Sequence, residues 1–155
     1  MITKYFLKNG KAVDLNVIKD NDASYLVVTE SMLKLLLDFG TVEAKKFNST
    51  LLYYQYKVEN KIGKEAFTKL QQKYPSTVIA MILKEIAIEL DSAYSDHISK
   101  SPDIYVISTN RWVVGYIPKS CITNYKGFAA FRTIADAEYA LDIVKPLIIS
   151  MCNGK

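Results

Sequence analysis

Apolar and polar positions along the chain change period several times, and each change marks an element. Residues 2–8 alternate with period two, Asn9-Gly10 supplies the positive φ angles of a tight turn, and residues 11–15 return, which predicts an N-terminal hairpin. Residues 16–23 carry two asparagines and three charges without periodicity and read as a loop, and residues 25–28 read as a short buried strand. Thr29 is a predicted N-cap. The helix it opens over residues 30–39 places Met32, Leu35, Leu36 and Phe39 on one face, and Gly40 follows as the residue that terminates it.

Between residues 41 and 60, β-branched and aromatic residues outnumber helix formers. Leu51-Leu52-Tyr53-Tyr54-Gln55-Tyr56-Lys57-Val58 suits a strand covered in part on both faces, with a second hairpin across Asn48-Ser49. Gly63 introduces a helix over 64–74 with Phe67, Leu70 and Tyr74 in one stripe, and Pro75 stops it. Ser76 or Thr77 then caps what the pattern makes the longest helix, 77–94. It is apolar nearly all round, and a helix of that kind is buried on most sides.

Past the break at Ser101-Pro102, residues 103–108 and 111–117 read as strands joined across Thr109-Asn110, and 125–131 as a third. Thr133-Ile-Ala-Asp136 approximates a capping box for a helix in which Ala137, Leu141, Val144, Ile148 and Met151 recur at helical spacing, kinked or split by Pro146. The predicted class is α+β: an N-terminal hairpin with mixed strands, a central buried helix, then C-terminal antiparallel strands followed by a helix. One domain over 1–155 is expected, with residues 99–102 the one attractive internal boundary.

Composition narrows the function classes. The chain has 155 residues, 50% hydrophobic and 23% charged, ordinary values for a globular domain large enough to bury a core without disulfides or metal. The net charge of +4 belongs to residues 1–73, and all but Arg111 and Arg132 of its bases are lysine. Planar, bidentate recognition of guanine or phosphate favours arginine, so a sequence-specific DNA reader is disfavoured. Cys121 and Cys152 fit neither a disulfide framework nor a zinc spacing and read as reduced and structural. The first residues lack the apolar stretch of a secretory signal, no run reaches the length of a membrane span, and the Asn48-Ser-Thr sequon reads as chance.

Catalytic chemistry is not evident. His97 beside Asp96 could orient a general base, but a histidine after a long helix more simply meets the helix dipole. Glu85 and Glu89, one turn apart, and the cluster of Asp136, Glu138 and Asp142 lack the Glu-x-x-His pattern of helical metal sites and read as polar edges, solvated or facing a subunit. The glycines match neither a phosphate loop nor the dinucleotide fingerprint, and Gly63-Lys64 lacks the first glycine of the former. No enzyme activity, metal or cofactor is expected.

Eleven tyrosines are many for this length. Tyr53, Tyr54 and Tyr56 with Lys45, Lys46 and Lys57 form the nearest thing to aromatics interleaved with positive charge, a pattern that stacks bases on a strand surface. The same aromatics, with Trp112 on its strand and Met81 and Glu85 on the long helix, equally suit a core or a protein interface, which is the preferred reading.

The stretches Leu83-Lys-Glu-Ile-Ala-Ile-Glu-Leu-Asp91, Asp96-His97-Ile98, Ile104-Tyr-Val-Ile-Ser108 and Asn124-Tyr-Lys-Gly-Phe-Ala-Ala-Phe-Arg-Thr-Ile-Ala-Asp-Ala137 resemble small proteins of crAss-like bacteriophages of gut Bacteroidetes, as does the Lys-rich, Arg-poor, Asn- and Tyr-rich composition. The resemblance covers about a third of the chain, excludes the N-terminal half and carries no catalytic motif. It implies a non-enzymatic virion structural or assembly protein that contacts copies of itself or other virion subunits. The alternatives are a soluble phage accessory protein that binds a host complex, or a Lys-rich nucleic-acid-binding module. The location it implies is the virion or the infected-cell cytoplasm, with no membrane. Residues 128–140 also resemble the strand-to-helix junction of DNA methyltransferase target-recognition domains and of three-stranded plant-type DNA-binding domains, without the arginine-rich reading face of those families.

Overall fold

Alternating side chains make Ile2–Leu7 a strand, β1, but its described neighbour is remote in sequence: β1 pairs antiparallel with β4, Val42–Phe47, in the register Ile2↔Phe47 to Leu7↔Val42. A computed structural model describes residues 1–7, 16–17, 27–28, 30–90, 103–108, 111–118 and 129–153. The turn at Asn9-Gly10, the return over 11–15 and the Thr29 cap lie outside these residues. Contacts fall into two compact units, Met1–Asn60 and Lys61–Lys155. The expected boundary at 99–102 is likewise outside the described residues.

In the first unit, β2 (Asn16–Val17) and β3 (Val27–Val28) form a two-residue parallel pair, so a strand begins where a loop was expected. Helix α1, Glu30–Asp38, ends as its sequence predicts. Gly40 takes φ +72°, Thr41 N–H donates to the Leu36 carbonyl (3.0 Å), and Gly40 N–H donates to that of Leu37 (3.1 Å). This pair of bonds is the Schellman closure. The buried side of α1 differs from the predicted one. Leu33 and, in part, Leu36 pack on Val42 and Tyr5, whereas Met32, Leu35 and Phe39 point outward.

The expected strand over 51–58 is instead helix α2, Thr50–Ile62. Ser49, read as part of a hairpin turn, is its N-cap: the Ser49 hydroxyl accepts from Leu52 N–H at 3.2 Å, and the Ser49 carbonyl accepts from Tyr53 N–H. A serine offers the same side chain to a turn or to a helix start, and packing chose the helix. Tyr54 and Val58, one turn apart, are buried together with Tyr53.

In the second unit, α3 (Lys64–Lys73) buries Phe67 but leaves Tyr74 exposed beyond its end. The helix ends before Pro75 as expected, but Pro75 also opens the next one. Helix α4 spans Pro75–Leu90, with the Tyr74 carbonyl accepting from Thr77 and Val78 N–H, so neither Ser76 nor Thr77 is the cap. Proline suits the first helical position, where no N–H is required. Val78, Ile79, Ile82, Leu83, Ile86 and Ala87 are buried, which makes α4 the central buried helix of the sequence reading.

Strands β5 (Asp103–Ile107) and β6 (Val114–Pro118) pair antiparallel, and β7 (Ala130–Phe131) flanks β5, giving the order β6-β5-β7. The second strand thus starts at Val114, later than the Arg111 expected. Thr133 caps α5, Ile134–Asn153, its hydroxyl accepting from Asp136 N–H at 3.1 Å. This helix, the longest among the described residues, runs unbroken through Pro146 and is not split by it. Ala137, Ala140 and Val144 are fully buried at helical spacing, and their small side chains let α5 lie close on α4. The architecture is α+β, with a C-terminal helix after strands.

Candidate functional site

Strand β4 divides its residues between two faces by simple alternation. Val42, Ala44 and Lys46 share the face that meets α1; Glu43, Lys45 and Phe47, with Lys4 and Phe6 of β1, share the face that meets α2. On that second face Phe6, Phe47, Tyr53 and Tyr56 make edge and tilted contacts, with ring centroids 5.3–6.3 Å apart. Aromatic pairs at such distances and angles add to the burial energy by about 1 kcal/mol each.

Lysines rim this cluster. The Lys4 ammonium stands 4.6 Å from the Tyr53 ring centre, that of Lys57 5.4 Å from the same ring, and that of Lys45 4.6 Å from the Tyr56 ring. Lys45 also lies 3.9 Å from the Glu43 carboxylate. Its pKa is raised, first by the hydrogen bond to Tyr56, against the opposing effect of burial, with the charges of Tyr56 and Glu43 adding to the rise.

Of the residues singled out in the sequence, Lys45, Lys57, Tyr53 and Tyr56 are therefore brought together, on a ribbon and a helix rather than on one strand. Lys46 is exposed on the opposite face. Tyr53 and Tyr54 are only 1% and 4% exposed, so neither offers a ring for a base or a partner protein. Lys4 was missed, because its place opposite Lys45 comes from a pairing across some forty residues.

The remaining candidates are dispersed. Trp112 is not in a strand: it is half-buried in the turn before β6, with φ +54° and its N–H donating to the Ser108 carbonyl at 2.7 Å. Met81 is half-buried. Glu85 is not a solvated edge; it is buried and ion-paired with Lys61. His97, Asp96 and Cys121 lie outside the described residues, and Cys152 is exposed.

Two further surface features stand out. Met32 and Leu35 on the outward side of α1, and Phe39 just past its end, are 51%, 56% and 79% exposed. In the second unit, a half-open cavity of about 330 Å³ lies between the start of α4 and the end of α5, lined by Val78, Ile79, Leu147 and Met151 with Gln71 and Ser150. Among the described residues, its lining holds no titratable side chain. Among the described residues no group of three or more His, Cys, Asp or Glu is placed to hold a metal ion, and no helix is long and apolar enough to cross a membrane. No protein-family model, no curated protein and no solved structure matches the chain.

Proposed function

We propose that this protein is a non-enzymatic binding protein that acts through protein–protein contacts, as a structural or assembly component of a phage particle, and that α1 mediates contact between two copies. The observation that carries this reading is the spacing of the exposed apolar residues on α1. Met32, Leu35 and Phe39 stand at i, i+3 and i+7, the a-d-a positions of a helix seam. A symmetric partner presents the same seam, and two such helices cover one another. A single large apolar residue on a surface needs no explanation, whereas two on one short helix with a third just past its end, in register, favour an occupant. The phage assignment rests on the resemblance of residues 83–137 and on composition.

Light scattering after size exclusion tests the self-contact. The wild type is expected to shift from monomer to dimer as concentration rises, and Leu35→Glu with Phe39→Glu to remain monomeric while keeping its circular dichroism. A wild type that is monomeric throughout overturns the α1 contact. Mass spectrometry of purified particles of the encoding phage tests the assignment to the virion: abundance in the lysate with absence from the particles overturns it.

A further inference from the structure

We infer that the cavity between the start of α4 and the end of α5 binds a free, uncharged aliphatic molecule carrying one hydrogen-bonding head, of the class of medium-chain alcohols. Ala137, Ala140, Val144, Leu147 and Met151 form one stripe along α5, each three or four residues after the last. The stripe is apolar from end to end, but its burial is not. Ala137, Ala140 and Val144 are fully buried, whereas Leu147 and Met151 are half-buried and line the cavity with Val78 and Ile79 of α4. Packing by the described residues thus ends while the apolar stripe goes on, and a ligand in the cavity continues the contact that the first half of α5 makes.

Size and chemistry select the occupant. Val78 and Ile79 are each 1% exposed, so the core holds this wall in place before any ligand arrives, and little ordering is left to lose on binding. The flexible thioether of Met151 adapts to the contour of an aliphatic chain. Among the described residues the lining has no aromatic ring to stack on a flat ligand and no charged group to meet an ionic one. Its polar side chains are those of Gln71 and Ser150, both exposed, an amide and a hydroxyl that suit a single neutral head at the solvent side. An apolar cavity of about 150 Å³ takes up benzene, so the volume here, about 330 Å³, suits about a dozen non-hydrogen atoms. That is too small for the four side chains an amphipathic helix anchors at i, i+3, i+4 and i+7.

The test is NMR of the full chain, carbon-13-labelled at its methionine methyl groups and titrated with 1-octanol. Of the four methionines, Met151 lines the cavity, whereas Met32 lies on the exposed side of α1 and reports non-specific adherence. The Met151 signal is expected to move saturably, with a dissociation constant of roughly 1 mM or below, and that of Met32 to stay in place. From 1-hexanol to 1-octanol affinity should rise about 2- to 4-fold per methylene. Octanoate at neutral pH should bind at least about tenfold more weakly, because its charge finds no partner in the described lining. Leu147→Trp, which fills the cavity from a half-buried position, is expected to abolish the Met151 shift while keeping the wild-type circular dichroism. Gln71→Leu with Ser150→Ala, both exposed and so harmless to the core, should weaken octanol binding about 3- to 10-fold. No saturable movement of Met151 overturns the site, as does equal movement of Met32, or octanol bound by Leu147→Trp as by the wild type. Octanoate bound as tightly as octanol, or full affinity in Gln71→Leu with Ser150→Ala, overturns the neutral head. The α1 residues do not line the cavity, so Leu35→Glu with Phe39→Glu is expected to bind octanol as the wild type does.

Discussion

Lys61, in the last turn of α2, is ion-paired with Glu85 of α4, whose side chain is only 7% exposed while that of Lys61 is 60% exposed. The carboxylate has been taken out of water and the ammonium has not, so the two partners are not equivalent. Removing the lysine takes the counter-charge from a mostly buried carboxylate; removing the glutamate releases a cation that water readily receives.

Lys61→Met is accordingly expected to lower stability by about 1–2 kcal/mol, discounted for the exposure of the lysine. Replacing both residues, Lys61→Met with Glu85→Leu, recovers much of that loss. Urea unfolding of the two single variants and the double variant measures the coupling, and full additivity contradicts a direct interaction.

Ile82 is fully buried in α4, so Ile82→Ala loses apolar contact and leaves a cavity, at a cost of about 2–5 kcal/mol. Leu90, on the same helix and 41% exposed, is expected to tolerate alanine within about 1 kcal/mol. Thermal unfolding ranks the two, and a Leu90→Ala variant as damaged as Ile82→Ala would place α4 differently.

Gly40 isolates a backbone effect. Its φ is +72° and a Cβ added there meets nothing within 4 Å, so Gly40→Ala costs about 1 kcal/mol through the left-handed conformation alone. Gly40→Asn is expected to lose less, since asparagine visits that region more readily. Equal losses would point to a contact rather than to φ.

Lys45 sets an alkaline dependence. Its folded pKa is raised, so it binds its proton more tightly when folded; the stability it contributes is complete below the ordinary lysine pKa and is lost as pH rises through the folded value. Lys45→Gln should therefore narrow its stability deficit against the wild type above about pH 10.5. Tyr56→Phe, which removes the hydrogen-bond acceptor and nearest charge, should weaken the trend, leaving Glu43 and the opposing Lys4 as the charged neighbours on that face. Urea unfolding of each variant across alkaline pH reads both effects.

Much of the local structure was legible in the residues. Gly40 marked the end of α1, Thr133 the start of α5, and the alternation over 103–117 a pair of strands, because each signal is short-range chemistry of a cap, a turn or a pleat. Other positions were ambiguous for equally physical reasons. Pro75 follows one helix and begins the next, and the tyrosines of 53–56 favour a pleated surface in isolation, yet their burial with Val58 is achieved on a helix.

The candidate lysine site was half legible. Lys45 and Lys57 were picked out as charge beside aromatics, but Lys4 entered only through the β1–β4 register, and Lys46 left through the alternation of the same strand. Composition and period alone determined the α+β class and a strongly apolar central helix, since burial needs and local backbone preferences act over a few residues. Which side of α1 is covered, that Glu85 is buried against a lysine, and that Lys4 faces Lys45 were decided by tertiary structure, because contacts between residues far apart in the chain are set by packing, which no local pattern encodes.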